Sequence, residues 1–373
     1  MALCKVAFIE YLTRCHLNEG KFGTPLEYKK MQSFLKNTWN SINPLISSLL
    51  NNELIVLKDE QYKVLQLLGE GGYAFVYLVE NVNSGEKFAL KKIKCHSGRE
   101  GVQKALIEAK FHEEFNHANL LKSIHVQLQK EVDGVQYVYI MFPFFQKGTV
   151  AQIVQSQHKK NTFIPKRIIL SWSLCLLQAL KYLHNGGEDS ASEDAVDTTN
   201  LIDLQLENKP MKKKRTNSYL HGDVKPENLL LSDDMRNAVL TDFGSICRIP
   251  SIISNNSEAI SFEDKASENC TMPYRAPELF HVRPGSIITE KADIWSFGCT
   301  LYTIMFGYTP FEKQVSQGGS LALAVCNAQY SFPSENPYEP RLSNLVCACL
   351  QLNPEQRPYA DDLIHAIKGI MNG

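Results

Sequence analysis

The stretch from Ser218 to Gly244, SYLHGDVKPENLLLSDDMRNAVLTDFG, constrains this chain more than any other. His221-Gly222-Asp223 is followed by Lys225, Pro226 and Asn228, and fourteen residues beyond Asn228 comes Asp242-Phe243-Gly244. Leu229–Leu231 and Ala238–Thr241 read as short strands, with Asp233-Asp234 supplying a polar turn between them. A hairpin of that kind brings Asn228 and Asp242 side by side. Two oxygen ligands so placed suit Mg2+, a hard cation that binds one or two carboxylates together with phosphate oxygens, and Mn2+ is the alternative ion. Asp223 then faces the nucleophile.

The rest of the chain must supply a fold for such a site. At 373 residues with 44% hydrophobic side chains, there is enough for a two-lobed domain with extensions. Thirty-nine basic and forty acidic residues leave a net charge of −1, so no global field recruits nucleic acid or membrane. The ten cysteines show no CxxC pair and no regular spacing, which fits a reducing compartment and excludes a disulfide scaffold. Val6–Ile9 is too short for the apolar region of a signal peptide. The uncharged run Ile168–Leu180 falls short of the ~20 residues that a membrane span needs. These features predict a soluble cytoplasmic protein.

Residues 1–53 differ in pattern from the rest of the chain. Within Leu26–Leu50, Met31, Phe34, Leu35, Trp39, Ile42, Leu45, Ile46 and Leu49 recur at helical spacing, broken at Pro44. From Leu54 the pattern becomes strand-like. Tyr62–Leu68, Phe75–Val82, Lys87–Ile93, Leu121–Gln129 and Val135–Phe142 predict a five-stranded antiparallel sheet, and Val102–Phe115 predicts one main helix beside it. After Gly148 the pattern is mostly helical, with helices expected at Lys166–His184, Ile287–Phe306, Leu321–Ala328, Arg341–Leu352 and Ala360–Met371. The fold class is therefore α+β, with two lobes and a ligand cleft between them. Residues 186–218 interrupt this order with an acidic block and then a basic one, a charged insertion that cannot bury much surface.

Two further constellations bear on the cleft. Leu68-Gly69-Glu70-Gly71-Gly72 sits between two strands, where glycines let the backbone close over phosphates and present N–H groups to them. Lys91 on the third strand and Glu108 on the helix form the second. A lysine aimed into a cleft loses hydration and needs a carboxylate to stay charged. Strand alternation sends the neighbouring Lys92 to the opposite face. Farther along, Arg357 is expected to pair with Glu278, and the helix beginning at Asp293 to support the catalytic loop.

These motifs, in this order over about Leu54–Met371, resemble the eukaryotic protein kinases. LGEGGYAFVYLV, FALKKI, PFFQKGTV, CTMPYRAPELF, ADIWSFGCTLYTIMFGYTPFE and SLALAVCNAQYSFP are similar to the Numb-associated kinase family, most of all to its myristoylated and palmitoylated member. The resemblance implies an active kinase that transfers the γ-phosphate of Mg-ATP to Ser or Thr hydroxyls of proteins; the alternative is a pseudokinase scaffold that binds nucleotide without transfer. It implies that Lys91 grips the α- and β-phosphates, that Glu108 holds Lys91, and that Asp223 and Lys225 serve the acceptor hydroxyl and the γ-phosphate. Asn228 and Asp242 would hold the metal. Adenine would lie between Leu68, Val76 and Ala89 on one side and Leu230 on the other, against Pro143 and Phe145 with Phe142 behind, while Gly69, Gly71 and Gly72 cover the phosphates. Thr271 would bond Asp223 and Lys225, and an extra helix is expected near Phe262–Glu268. Golgi or perinuclear membranes are implied as a location.

The chain departs from the family at two positions. Gly222 stands where kinases usually carry the arginine that binds a phosphorylated activation loop, which predicts activity independent of loop phosphorylation. Ala2 stands where N-myristoylation requires glycine, so peripheral membrane contact cannot use that lipid.

Overall fold

A computed structural model of the chain describes residues 53–71, 74–96, 98–131, 134–187 and 218–372. The amphipathic stretch Leu26–Leu50, Gly72 of the glycine-rich turn and most of the charged insertion lie outside the described residues.

The N-terminal lobe is a six-stranded sheet of β1 (Leu54–Leu57), β2 (Glu60–Glu70), β3 (Ala74–Asn81), β4 (Lys87–Lys94), β5 (His125–Lys130) and β6 (Gln136–Pro143), with α1 (Arg99–Glu114) between β4 and β5. Strand order is β1-β2-β3-β4-β6-β5 and every pairing is antiparallel. The extra strand over the five expected is β1. Lys58 and Asp59 take φ values of 47° and 64°, which close the tight hairpin that folds β1 onto β2. Four residues with one alternation gave too little pattern to read as a strand.

Alternation along β4 and β6 sorts their side chains between two cores. Leu90, Tyr137, Tyr139 and Met141 join Ile55 and Leu57 of β1 on one face. Ile93, Val138, Ile140 and Phe142 join Ala105 and Ala109 of α1 on the other. The Lys58 N–H donates to Gln127 Oε1 on β5 at 3.1 Å, so the two edge strands approach each other and the sheet curls around the first core. Lys92 faces that core, with its Nζ 2.6 Å from Glu131 and 4.5 Å above the Tyr137 ring. Lys91 faces α1.

In the C-terminal lobe, α2 (Val150–Lys159) starts on a capping box in which Thr149 and Gln152 satisfy each other's backbone N–H groups. Helix α3 (Lys166–His184) has the expected bounds. Strands β7 (Ser218–Leu220) and β10 (Cys247–Ile249) pair, as do β8 (Leu229–Leu231) and β9 (Ala238–Leu240). Helix α4 (Asn256–Asn269), capped by Asn255, is longer than the Phe262–Glu268 expected. The expected Ile287 helix start is corrected. Ile287 and Ile288 form β12 against β11 (Ser251–Ile252), and α5 runs from Lys291 to Phe306 with all of its residues buried. β-branched residues beside an unpaired strand gain more from ladder bonds than from one extra helical turn. Helices α6 (Glu312–Ser316), α7 (Leu321–Cys326), α8 (Pro340–Cys349) and α9 (Ala360–Asn372) complete the lobe.

Backbone hydrogen bonds join the lobes. Leu121 N–H donates to the Leu240 carbonyl, Leu240 N–H to Asn119, and Leu231 N–H to Gly148. The first of these explains why β5 begins at His125 and not at Leu121: the backbone of Leu121 is spent on β9. The hairpin that carries Asn228 and Asp242 is thereby fixed to both lobes.

Candidate active site

Lys91 is the residue that both lobes meet. Its Nζ stands 2.6 Å from Glu108 Oε1 on α1 and 2.9 Å from Asp242 Oδ1. Burial opposes the ammonium charge, yet Asp242 and Glu108 outweigh it and raise the proton affinity of Lys91 above the usual lysine value. The Lys91 charge in turn holds the Asp242 carboxyl well below the usual range. Asp242 sits at φ 70°, a left-handed conformation that costs a non-glycine residue about 1–2 kcal/mol. The Lys91 contact and the Thr241 N–H bond to the Asn228 carbonyl, 3.0 Å, hold it there. A Cβ on Gly244 would lie 3.4 Å from Glu108 Oε2 and 3.6 Å from Asp242 Oδ1, in van der Waals contact with both carboxylates.

Asp223 is enclosed by donors. Its Oδ2 accepts from Lys225 Nζ at 2.6 Å and from Asn228 Nδ2 at 3.2 Å, and its Oδ1 accepts from the Thr271 N–H at 2.8 Å. Lys225 also donates to Thr271 Oγ1 at 2.6 Å. Thr271 thus contacts both residues, the aspartate through its backbone and the lysine through its hydroxyl. Below the loop, Asp293 of α5 accepts the backbone N–H groups of His221 and Gly222 at 2.8 and 3.0 Å and meets His184 Nε2 at 2.9 Å. A fully buried carboxylate is tolerable only when satisfied in this way. The sequence led to the expectation that the helix of Asp293 supports the loop; that its carboxylate does so, and that it meets His184, 109 residues away in sequence, was not readable there.

The donor set fits a divalent cation. Asn228 Nδ2 is spent on the carbonyl and carboxylate of Asp223, which leaves its amide oxygen as a ligand. Asp242 gives Oδ1 to Lys91 and retains Oδ2. Two hard oxygen donors of this kind suit such an ion.

For the nucleotide base, Ala89, Leu230, Phe142 and Phe145 belong to one apolar cluster. Ala89 pairs with Phe142 across β4 and β6, and Leu230 bridges to Thr149. Val76 pairs with both Gly69 and Lys91, Leu68 is exposed on β2, and Pro143 ends β6 opposite Phe88. Gly71 N–H closes the glycine turn on the Ala74 carbonyl at 2.7 Å. His112 stacks on Phe243 with ring centroids 4.2 Å apart, and its Nδ1 lies 2.7 Å from the Leu121 carbonyl. Arg357 makes a two-bond pair with Glu278 at 2.6 and 2.8 Å. Sequence reasoning missed Arg275, which is buried and donates through Nη2 to the carbonyls of Ser267 and Cys270 at 3.2 and 2.9 Å.

A model of the family described as "Protein tyrosine and serine/threonine kinase" matches residues 62–367. The chain belongs to the protein kinase family. Serine/threonine-protein kinase ppk13 of Schizosaccharomyces pombe is 54% identical over 342 residues, which cover 90% of this chain and 98% of that protein. Serine/threonine-protein kinase 16 of Homo sapiens is 31% identical over 316 residues, covering 85% of this chain and 92% of its own length. Serine/threonine-protein kinase ENV7 of Saccharomyces cerevisiae is 31% identical over 342 residues, covering 85% and 93%. The kinase has the two-lobed α+β fold and is a protein serine/threonine kinase, which moves the γ-phosphate of ATP to protein Ser or Thr hydroxyls with a divalent metal. The scaffold alternative gains no support from these relatives.

Proposed function

We propose that this kinase is a Mg2+-dependent enzyme of the Numb-associated group that works without a phosphate on its activation segment. Asp223 orients the acceptor hydroxyl and takes its proton, and Lys225 neutralises the γ-phosphate as it moves. Lys91, held by Glu108, grips the α- and β-phosphates. Asn228 and Asp242 would hold the metal, which would supply positive charge to offset that of the phosphate oxygens. Leu68, Gly69, Gly71, Gly72, Val76, Ala89, Pro143, Phe145 and Leu230 receive the rest of the nucleotide. Positioning and charge neutralisation are most of what a loose phosphoryl-transfer transition state requires.

The observation that carries this reading is that Lys91 meets Glu108 and Asp242 at 2.6 and 2.9 Å while the protein's own groups anchor the activation segment. Ser245 Oγ donates to the Asn269 carbonyl at 2.8 Å, and Arg275 binds the last turn of α4 and the residue after it. In this reading residues 54–371 are the catalytic domain, 1–53 an extension and 186–218 an insertion. The site of action is the cytoplasm, with peripheral contact at Golgi or perinuclear membranes, and cell fractionation tests that part. Among the described residues, no helix is long and apolar enough to cross a membrane.

The test is γ-phosphate transfer by phosphatase-treated protein with Mg2+, Mn2+ or EDTA, beside Asp223→Asn. Transfer that survives dephosphorylation, prefers Mg2+ and is lost in the variant is expected. Transfer abolished by phosphatase and restored by one phosphate on the activation segment would overturn the reading.

A further inference from the structure

The connection from α2 to α3 carries charge of one sign. From His158 to Arg167 the chain reads HKKNTFIPKR, with Lys159, Lys160, Lys166 and Arg167 and no acidic residue. Every position in it except Ile164 is exposed. Lys166 pairs with Glu339 at 2.9 Å, while Lys159, Lys160 and Arg167 have no carboxylate partner among the described residues. The protein as a whole is close to neutral, so this field is local. Amid these cations stands Phe163, the one exposed phenylalanine or tryptophan among the described residues, with 52% of its surface open to solvent.

The fold holds that ring in water. It meets Tyr338 edge-on with centroids 6.1 Å apart, and the Tyr338 hydroxyl donates to the Ile164 carbonyl at 2.8 Å. Ile164 itself is buried in the main core, and on the other side the Thr162 N–H donates to the Gln157 carbonyl at 3.0 Å. A ring fixed in this way forgoes the burial that usually stabilises an aromatic side chain. Cations around a protruding ring match an anionic bilayer, where headgroup phosphates take the charges and the ring enters the headgroup boundary. An acidic protein would need a pocket placed for that one ring, whereas a bilayer accepts it at any register. The patch also stands clear of the cleft. Thr149, at the start of α2, bridges to Leu230 of the nucleotide site, and the ten residues of α2 span about 15 Å from there. We propose that Lys159, Lys160, Phe163, Lys166 and Arg167 dock this kinase on membranes that carry anionic lipid headgroups. The inference gives a physical basis to the peripheral membrane contact proposed above, and it rests on that reading.

The experiment measures co-sedimentation of the full chain with phosphatidylcholine vesicles, with and without about one-third phosphatidylserine. The parent should partition onto the anionic vesicles alone, and high salt should release it. Lys159→Gln combined with Lys160→Gln should lower the partition coefficient about thirtyfold, the effect of two lost cations. Phe163→Ser should lower it severalfold and keep the salt dependence. Lys104→Gln combined with Lys110→Gln makes the same change of net charge on α1 and should bind nearly as the parent does. All variants should phosphorylate a soluble peptide at the parental rate, which shows that they are folded. Parental binding by both patch variants, or equal losses in the patch and α1 variants, would overturn this surface and leave the membrane reading standing. No binding of the parent to anionic vesicles would overturn both. Binding of the parent to polyglutamate but not to vesicles would make the patch a docking face for acidic protein and overturn the proposal.

Discussion

An ideal Cβ on Gly222 would stand 2.9 Å from the backbone oxygen of Ser245, with Gly222 at a φ of +84°. Both facts oppose a side chain there. The Ser245 backbone occupies the space through which one would leave the loop, and the left-handed backbone strains any L-residue. Gly222→Ala is therefore expected to destabilise the protein by about 1–3 kcal/mol, read as a lower Tm. Gly222→Arg should do the same and fail to make activity depend on a loop phosphate. An arginine variant with parental Tm and phosphate-stimulated turnover would contradict this.

Thr271 joins Lys225 to the activation segment through a single hydroxyl. Thr271→Val keeps the backbone bond to Asp223 and removes the 2.6 Å contact with Lys225. Turnover is expected to fall about tenfold, the scale of one lost charge-assisted hydrogen bond, with KM for ATP little changed. Thr271→Ser should restore most of it. Steady-state kinetics on one peptide decides the point.

His112 is buried against Phe243 and Phe142, and burial pushes its pKa down to about 3. Lys91 and His221 push the same way, and Asp242 and the Leu121 carbonyl oppose them. A depressed folded pKa means that stability is complete above the unfolded value near 6.5 and is lost as pH falls toward 3. Each unit of acidification within that window should cost about 1.4 kcal/mol from this one residue. Thermal melts between pH 7 and pH 5 should show a steep fall that His112→Phe flattens.

Arg357 is almost completely buried, and Glu278 supplies its carboxylate partner. Glu278→Ala would leave a buried guanidinium held only by carbonyls, at an expected cost of about 3–5 kcal/mol. Denaturant melts measure this directly. The double variant Glu278→Ala with Arg357→Met should recover part of the loss, because the unpaired charge is then gone.

Much of the site was legible because its chemistry is carried by short spacings. Asp223, Lys225 and Asn228 share one loop, and the Asp233-Asp234 turn fixes how far the chain travels before Asp242. Strand alternation separated Lys91 from Lys92, and the kinase resemblance named Glu108 on the helix as the partner of Lys91. The same local rules identified α3 to the residue, because its apolar stripe is long and uninterrupted.

What local rules could not supply were pairings between distant segments. β1 was missed because four residues acquire their identity from the β2 hairpin and from Gln127 across the sheet. β5 begins late because Leu121 bonds β9, and Ile287–Ile288 leaves the helical pattern because a strand of the activation segment lies beside it. Arg275 gains its meaning only when α4 brings the Ser267 and Cys270 carbonyls to it. Spacing along the chain determined the residue types and the lobe order, since those come from turn chemistry and period. The tertiary structure alone decided which backbone groups and charges satisfy one another, because a buried donor takes whichever acceptor the completed fold places within reach.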